Sequence, residues 1–255
     1  MVLLHGFPEC AYSWRHQLPP LVAAGFRVIV PDQRGYNRSD KPRGIAQYTV
    51  AKLAGDVIGL LDALGVARAH IVGHDWGGAV AWTTASLFPA RVERMVVMNG
   101  PHPSHARREI LLNPAQLRRS YYMFLFQLPY LAEKMLLRPG FIARAFRGTA
   151  VQKSAFSDED LAVYSAAIQQ PGAATAILSW YRASMQLGLP KLPQVLARSL
   201  CIWGDGDLAL GPRMAQHLDR YAREIEVQHI ADAGHWVQQE QPEQVNTHLL
   251  EFLQR

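Results

Sequence analysis

The sequence "AHIVGHDWGGAVAWTTASLF" occupies residues 69–88 and decides the fold class. It begins with a short apolar run that is typical of a buried strand, and it ends with the apolar spacing of a helix. Between them, Gly73, Gly77 and Gly78 build a sharp turn with Asp75 near its centre. A carboxylate held at the tip of such a turn points outward and is suited to act as a nucleophile, whereas the simpler alternative is an aspartate that caps the helix.

The same alternation of apolar runs and helical patterns continues along the chain. Further strands are predicted at residues 1–4, 26–31, 94–99, 200–204 and 225–230. Further helices are predicted at residues 48–65, 114–137, 157–172 and 173–188, the third of them capped by Ser157. Strands that alternate with helices predict an α/β fold with a mostly parallel sheet.

No strand-like run occurs between Pro101 and Pro193. We therefore expect a sheet domain formed by residues 1–103 and 194–255, with a helical lid, or cap, at residues 104–193. Such lids commonly cover a cleft and exclude water, and extra structural bulk is the alternative.

The charge of the chain is unevenly distributed. The formal net charge is +5, and residues 104–153 contain nine Lys/Arg but only two Asp/Glu. These cations lack the dense interleaving with aromatic residues that is typical of a nucleic-acid surface. We expect a solvated basic face and no nucleic-acid partner, and a functional anion site is the alternative.

Composition also limits the compartment and the cofactors. Cys10 and Cys201 are far apart and lack CxxC spacing, which favours reduced thiols over a disulfide framework or a zinc site. No cluster of His, Cys and carboxylates has ligand spacing, so we expect no metal and no cofactor.

The N-terminus has no signal-peptide pattern, and no apolar run approaches the length of a membrane span. A soluble cytoplasmic protein without a membrane partner is expected.

A carboxylate nucleophile at Asp75 predicts a particular chemistry. It attacks a saturated carbon that carries a leaving group, and the resulting ester requires a second step in which a base activates water. His235 follows the last predicted strand and would supply the base. Asp205 and Asp207 follow the preceding strand, which gives the chain order nucleophile, acid, histidine.

Six segments match a known set of motifs: "HGFPE" (5–9), "DQRGYNRSDKP" (32–42), "GHDWGG" (73–78), "SWYR" (179–182), "WGDGD" (203–207) and "GHW" (234–236). Together they resemble an epoxide hydrolase of the α/β-hydrolase fold superfamily, and the resemblance covers nearly the whole chain. It implies that water hydrolyses a small-molecule epoxide to a vicinal diol through an ester on Asp75.

The resemblance also implies two tyrosines in the lid that donate hydrogen bonds to the epoxide oxygen. Tyr181 matches the motif that carries one of them. The segment "YYMFLFQLP" (121–129) resembles the one that carries the other, which we assign to Tyr122 with Tyr121 as the alternative.

Further roles follow from the same resemblance. The segment His5-Gly6-Phe7-Pro8 looks like the oxyanion loop of the family, in which the backbone N–H groups of Phe7 and Trp76 would hold the oxyanion.

The acid that orients His235 matches Asp207 by its position in "WGDGD", with Asp205 and Asp232 as substitutes. Some relatives place this acid where the chain has Asn99. An amide cannot support an imidazolium as a carboxylate does.

One departure from the family concerns the N-terminus. Family members usually carry a strand hairpin ahead of "HGFP", whereas here only four residues precede it. Two explanations are open. Either the sheet lacks its first two strands and has an exposed edge that can pair with another chain, with a homodimer as one option, or the start of the sequence was assigned internally.

Two other functions compete with epoxide hydrolysis. "HGFP" and "GHDWG" are shared with haloalkane and haloacetate dehalogenases, but Phe7 replaces the Asn of the first group, and "YYMFLF" replaces the His-Trp pair of the second. Trp76 still offers one halide donor. A non-catalytic ligand-binding protein of the same fold predicts a broken triad, which the sequence does not have.

Overall fold

The computed structural model describes residues 1–255 and contains a five-stranded sheet in the order β1-β2-β3-β4-β5, with every neighbouring pair parallel. The strands are β1 (Val2–Leu4), β2 (Ala69–His74), β3 (Val92–Met98), β4 (Arg198–Gly204) and β5 (Ile225–Ile230). They confirm five of the six predicted strands and the α/β fold class.

The prediction of a full strand at residues 26–31 is wrong. This segment runs beside β1 but forms a single bridge, between Val2 and Ile29. Its backbone makes two hydrogen bonds to the β1 side, from Leu3 N–H to Ile29 O at 2.9 Å and from Ile29 N–H to Met1 O at 3.0 Å. The next ladder hydrogen bond would need an N–H at residue 31, which is a proline, so the pairing stops at Ile29.

Twelve helices surround the sheet: α1 (Leu18–Ala23), α2 (Val50–Ala63), α3 (Trp76–Leu87), α4 (Pro103–Leu112), α5 (Pro114–Arg119), α6 (Tyr121–Leu125), α7 (Leu131–Leu136), α8 (Phe141–Phe146), α9 (Asp158–Ile168), α10 (Ala173–Gln186), α11 (Val237–Glu240) and α12 (Pro242–Gln254). Ser157 caps α9 as predicted, in a capping box with Asp160. None of the helices is both long and apolar enough to cross a membrane.

The single helix predicted at residues 114–137 is broken into α5, α6 and α7. The break between α6 and α7 has a local cause: Pro129 has no backbone N–H to donate, and Tyr130 adopts a φ of 64°. Between β3 and β4 the chain contains only helices, α4 to α10.

The sheet is buried on both faces, which explains why its strands read as continuous apolar runs. Leu3 and Val72 point to a core that also contains Phe252 of α12. Leu4 and Ile71 point to the opposite core, which continues without interruption into the helices between β3 and β4. Since all strands are parallel, the residues that follow them meet along one edge of the sheet.

Candidate active site

Asp75 lies at the turn between β2 and α3. Its φ and ψ of 50° and −116° are rarely adopted by residues other than glycine, so the turn stores strain. Methyl groups at Gly73 and Gly77 would overlap neighbouring backbone, including that of Leu4, and only glycine permits this close approach. Although Asp75 precedes a helix, its side chain makes no capping hydrogen bond. The carboxylate is therefore available to other groups.

Two groups from distant parts of the chain reach the Asp75 carboxylate. The backbone N–H of Phe7 donates to Oδ1 at 2.9 Å, and Nε2 of His235 lies 3.5 Å from Oδ2. Trp76 is the first residue of α3, and so its backbone N–H has no acceptor within the helix. Of the two predicted oxyanion donors, the Phe7 N–H therefore donates to the carboxylate itself, and the Trp76 N–H belongs to the residue that follows Asp75 in the chain.

The loop His5–Pro8 follows β1 and is held in place by buried hydrogen bonds. Nε2 of His5 accepts the N–H of Gln33 at 3.0 Å, so that Nδ1 carries the proton and donates to Gly6 O at 3.0 Å. Burial lowers the pKa of His5, which keeps the ring neutral. A side chain at Gly6 would overlap Asp75, and Pro8 is buried at the end of the loop.

His235 is oriented by a buried carboxylate. Its Nδ1 lies 2.7 Å from Oδ2 of Asp207, and both side chains are almost fully buried. The other oxygen of Asp207, Oδ1, accepts the backbone N–H groups of Ala209 and Leu210, both at 2.8 Å. Asp207 is therefore fixed on both oxygens, and it holds the imidazole with Nε2 toward Asp75.

The alternatives to Asp207 lie elsewhere. Asp205 binds the half-exposed His229 at 2.6 Å, and Asp232 is exposed. Asn99 follows β3 and does reach the site, where its Nδ2 donates to Asp207 Oδ2 at 2.8 Å. Its Oδ1 accepts the N–H of Gly204 at 2.9 Å, which fixes the amide orientation. Asn99 supports the acid and does not replace it.

The three titratable groups shift one another's pKa. Burial opposes the charged form of each of them, but their mutual attraction prevails. Hydrogen bonding to His235 and its charge lower the pKa of Asp75 and the pKa of Asp207. The two carboxylates raise the pKa of His235 well above its ordinary value. The free site consequently holds an imidazolium between two carboxylates.

A cavity of about 310 Å³ opens above Asp75. Tyr122 from α6 and Tyr181 from α10 both line it, with their ring centroids 6.1 Å apart. Burial is the main cause that raises the pKa of each hydroxyl, and the Asp75 charge contributes, so both remain proton donors. Tyr121 is 63% exposed and does not line the cavity, which favours Tyr122 as the partner of Tyr181.

A buried ion pair that the sequence did not predict is formed beneath the site by Glu9 and His74. Nδ1 of His74 lies 2.7 Å from Oε2 of Glu9, and its Nε2 lies 2.7 Å from the backbone oxygen of His235. Both neighbours are acceptors, so both contacts are hydrogen bonds only when the ring carries two protons. Glu9 also accepts hydrogen bonds from Gly6 N–H, Gln238 and Gln239. The pair joins the loop after β1 to the backbone that carries His235.

A signal for this pair was present in the sequence. Both residues are charged or polar positions inside motifs already quoted, "HGFPE" and "GHDWGG". A polar residue directly beside a buried strand end needs a partner. Their pairing became visible only with the fold, because 65 residues separate them.

We expect Glu9→Gln to lower the free energy of unfolding by about 3 kcal/mol, because the amide removes the carboxylate from the buried contact with His74 and turns a donor toward other donors. Urea unfolding measures the effect. Glu93→Gln is the matched control, since Glu93 is 46% exposed and pairs with Arg68 at the surface; a change within about 0.5 kcal/mol is expected there. Equal effects in the two variants would contradict the structural role of Glu9.

The chain is similar to known proteins over nearly its full length. Residues 1–242 match a family model described as the alpha/beta hydrolase fold. The AB hydrolase superfamily protein YfhM of Bacillus subtilis is 41% identical, over 99% of this chain and 89% of the relative. Epoxide hydrolase 3 of Xenopus tropicalis is 37% identical, over 99% of this chain and 71% of the relative.

A solved structure shows the same similarity in three dimensions. The Bacillus megaterium epoxide hydrolase in complex with an inhibitor superimposes with a TM-score of 0.91 at 30% identity and covers 100% of this chain and 93% of that one. The match therefore includes the helices that contribute Tyr122 and Tyr181.

Proposed function

The chain belongs to the epoxide hydrolases of the α/β-hydrolase fold family, and we propose that it hydrolyses epoxides to vicinal diols through an ester on Asp75. The observation that carries the proposal is that one apolar cavity contains both Asp75 and the tyrosine pair Tyr122 and Tyr181, with His235 at the second carboxylate oxygen. No cofactor takes part in this chemistry. The substrates are a small-molecule epoxide and water.

In the first step, a carboxylate oxygen of Asp75 attacks a ring carbon. The bond between this carbon and the epoxide oxygen breaks, an ester bond to Asp75 forms, and the epoxide oxygen takes a proton from the tyrosine pair. An alkoxide is a poor leaving group in an apolar cavity, and two phenols that line this cavity lower the barrier by donating to the epoxide oxygen. The depressed pKa of Asp75 keeps the nucleophile ionised.

Ester formation changes the proton affinity of His235. In the free protein, Asp75 is one of two carboxylates that raise the pKa of the ring. The ester carries no charge, so the pKa of His235 falls, and the ring can lose its proton while Asp207 still holds it in place. The nucleophile thus converts its neighbour into a base only after the first step is complete.

In the second step, His235 takes a proton from water, and the resulting hydroxide attacks the ester carbonyl of Asp75. The backbone N–H groups of Phe7 and Trp76 stabilise the oxyanion. When the intermediate breaks down, the proton passes from His235 to the leaving oxygen, and the diol and the protonated Asp75 are formed. Asp75 then loses its proton. This proton and the one that His235 lost after ester formation return through solvent to the tyrosine and to His235, so that atoms and charge balance over the cycle.

We place the cap at residues 104–193 and the hydrolase core at residues 1–103 and 194–255. The support is that α4, α6 and α10 contribute Ile110, Met123 and Met185 to the cavity wall over Asp75. This arrangement keeps bulk water away from the ester and leaves room for a substrate.

Carbon–halogen hydrolysis is the competing reaction of the same nucleophile, since Trp76 also lines the cavity beside Asp75. A panel that contains terminal, aryl-substituted and aliphatic epoxides together with haloalkanes and fluoroacetate separates the two. We expect diol formation from epoxides. Halide release without diol formation would overturn the proposal, and turnover of no compound would favour a ligand-binding protein.

Tyr122→Phe and Tyr181→Phe are each expected to slow alkylation about a hundredfold, because each removes one donor to the epoxide oxygen. Stopped-flow measurement of ester formation reports this step directly. Tyr121→Phe is the matched control, because this ring is 63% exposed, and its rate should be unchanged. Unchanged alkylation in both cavity variants would refute the assignment.

A further inference from the structure

Apolar side chains are concentrated on the outer surface of the segment that runs from α4 to α7. Ten of the nineteen large exposed apolar residues of the molecule lie within residues 111–137. We call this surface the outer cap face and define it by Leu112, Tyr121, Leu125, Leu128, Tyr130 and Leu131. A local excess of exposed apolar side chains is often found at binding sites.

Part of the outer cap face follows the helical periodicity of α6 and of the turns after it. Tyr121, Leu125 and Leu128 recur at helical spacing and are exposed, and backbone hydrogen bonds of helical type continue as far as Leu128. On the opposite side of the same segment, Tyr122 and Phe126 point into the protein and contact each other at a centroid distance of 5.4 Å. The segment is therefore apolar on both sides, although only the inner side has a partner within the chain.

Cations accompany the outer cap face. Residues 107–144 contain seven Lys/Arg and two Asp/Glu, which gives this stretch a net charge of +5. The net charge of the whole chain has the same value. All seven cations are exposed, namely Arg107, Arg108, Arg118, Arg119, Lys134, Arg138 and Arg144, and none of them takes part in an ion pair.

The two acids of this stretch are already engaged. Glu109 is buried and lies 3.2 Å from Arg213, and Glu133 pairs with Arg182 at 2.7 Å. Residues 107–144 thus present positive charge and apolar area and contain no exposed carboxylate.

This combination selects among possible partners. A second copy of the chain, joined by a two-fold axis, would place the same cations against each other, which costs free energy. A nucleic acid would match the cations but would leave the leucines in water. An anionic bilayer matches both, since phosphates attract the cations and the acyl boundary takes up leucine and tyrosine side chains.

We propose that the outer cap face docks the protein on the surface of an anionic phospholipid bilayer. The docking is peripheral and requires no membrane span. The sequence predicts no membrane partner, because it contains no spanning segment and its local excess of cations at residues 104–153 is also typical of a solvated basic face. The exposure of the leucines and the absence of ion pairs are properties of the tertiary structure.

Docking has a consequence for the cavity. Leu111 and Phe124 are exposed beside the outer cap face, and both also line the cavity above Asp75. A docked protein would therefore hold its cavity mouth close to the lipid, where apolar epoxides accumulate. This consequence rests on the proposed function, but the docking itself does not.

Sedimentation with lipid vesicles, without any substrate, tests the proposal. We expect the protein to sediment with vesicles in which about a third of the lipid is phosphatidylglycerol, and to stay in solution with phosphatidylcholine alone. Added salt should release it. Sedimentation with neither kind of vesicle, or equally with both, would overturn the proposal.

Charge variants test the electrostatic part. The triple variant Arg118→Glu, Lys134→Glu and Arg138→Glu should weaken binding at least about tenfold. The control triple Lys191→Glu, Arg220→Glu and Arg223→Glu changes the net charge equally at exposed positions outside the face, and it should bind better than the first triple. Equal loss in both would mean that total charge, and not this face, attracts the lipid, which contradicts the proposal.

Apolar variants test the insertion of side chains. Leu112 and Leu131 are 72% and 57% exposed, and Leu112→Ser with Leu131→Ser should weaken binding about fivefold. Val22→Ser with Leu196→Ser, at 59% and 60% exposure, is the control and should have no effect. Circular dichroism melts verify that all variants fold. If light scattering finds a dimer that the Leu112 and Leu131 variant dissolves, the face is an interface between copies and the proposal is wrong.

Discussion

Replacing His235 with Gln is expected to stop turnover almost completely, by about ten-thousandfold or more, while the ester on Asp75 still forms. Nε2 of His235 is the only base next to the carboxylate, at 3.5 Å from Oδ2. The neighbouring His74 cannot substitute, because its two ring nitrogens are bound to Glu9 and to the backbone of His235. Mass spectrometry should find one added substrate mass on the peptide that contains Asp75.

The label from water gives an independent test of the same step. In a single turnover in oxygen-18 water, the native protein should place the label in Asp75, because water attacks the ester carbonyl and the diol keeps an original carboxylate oxygen. Asp75→Ala is the control, in which both the adduct and the label should disappear. A labelled diol with an unlabelled Asp75 would mean that water attacks the epoxide directly, and the covalent mechanism would be wrong.

Asp207→Asn is expected to slow ester hydrolysis about ten-thousandfold, by analogy with a serine triad whose aspartate is replaced by asparagine. The carboxylate accepts Nδ1 of His235 on one oxygen and two backbone N–H groups on the other. An amide turns its NH₂ group toward one of these donors and cannot support the imidazolium. Single-turnover kinetics should find alkylation much less affected than hydrolysis.

The pH profile of ester hydrolysis tests the effect of the Asp207 charge on the pKa of His235. In the ester, Asp207 is the carboxylate that still raises the pKa of His235, and hydrolysis needs the neutral ring, so the native rate is lost as the pH falls below the pKa of the ring in the ester. Removal of the Asp207 charge lowers the pKa, and the acid limb of the profile should move to lower pH. An acid limb that stays in place would contradict the role of Asp207.

Two further variants separate Asp207 from its neighbours. Asp205→Asn should leave the rate unchanged, because Asp205 binds only the half-exposed His229. Asn99→Asp, added to Asp207→Asn, should restore part of the activity, since residue 99 already touches the oxygen that accepts the His235 proton. A rate loss in Asp205→Asn as large as in Asp207→Asn would refute the assignment of the acid.

Local sequence patterns were sufficient for much of the fold. Apolar runs located five strands, because a strand buried on both faces needs apolar side chains at every position. The glycines around Asp75 located the turn, since no other residue fits at Gly73 or Gly77. His235 was found because chain order places it after the last strand, and parallel strands bring such residues to one edge of the sheet.

The same patterns predict the wrong element where single residues prevent the backbone hydrogen bonds that the element needs. Residues 26–31 are apolar enough for a strand, but they form only one bridge to β1, because Pro31 has no N–H to continue the ladder. Helical spacing runs through residues 114–137, yet Pro129 and the positive φ of Tyr130 end the helix in the middle. An apolar pattern predicts the conformation that a segment prefers, but it does not predict the hydrogen-bond partners that the segment finds in the fold.

Only the tertiary structure decided which side chains meet. Asp205 and Asp207 are two residues apart in sequence, but one faces the surface and the other lies 2.7 Å from His235. Adjacent Tyr121 and Tyr122 likewise point to solvent and to the cavity. The physical reason is that the direction of a side chain in a loop or a short helix depends on contacts with residues far away in the chain, which no local spacing encodes.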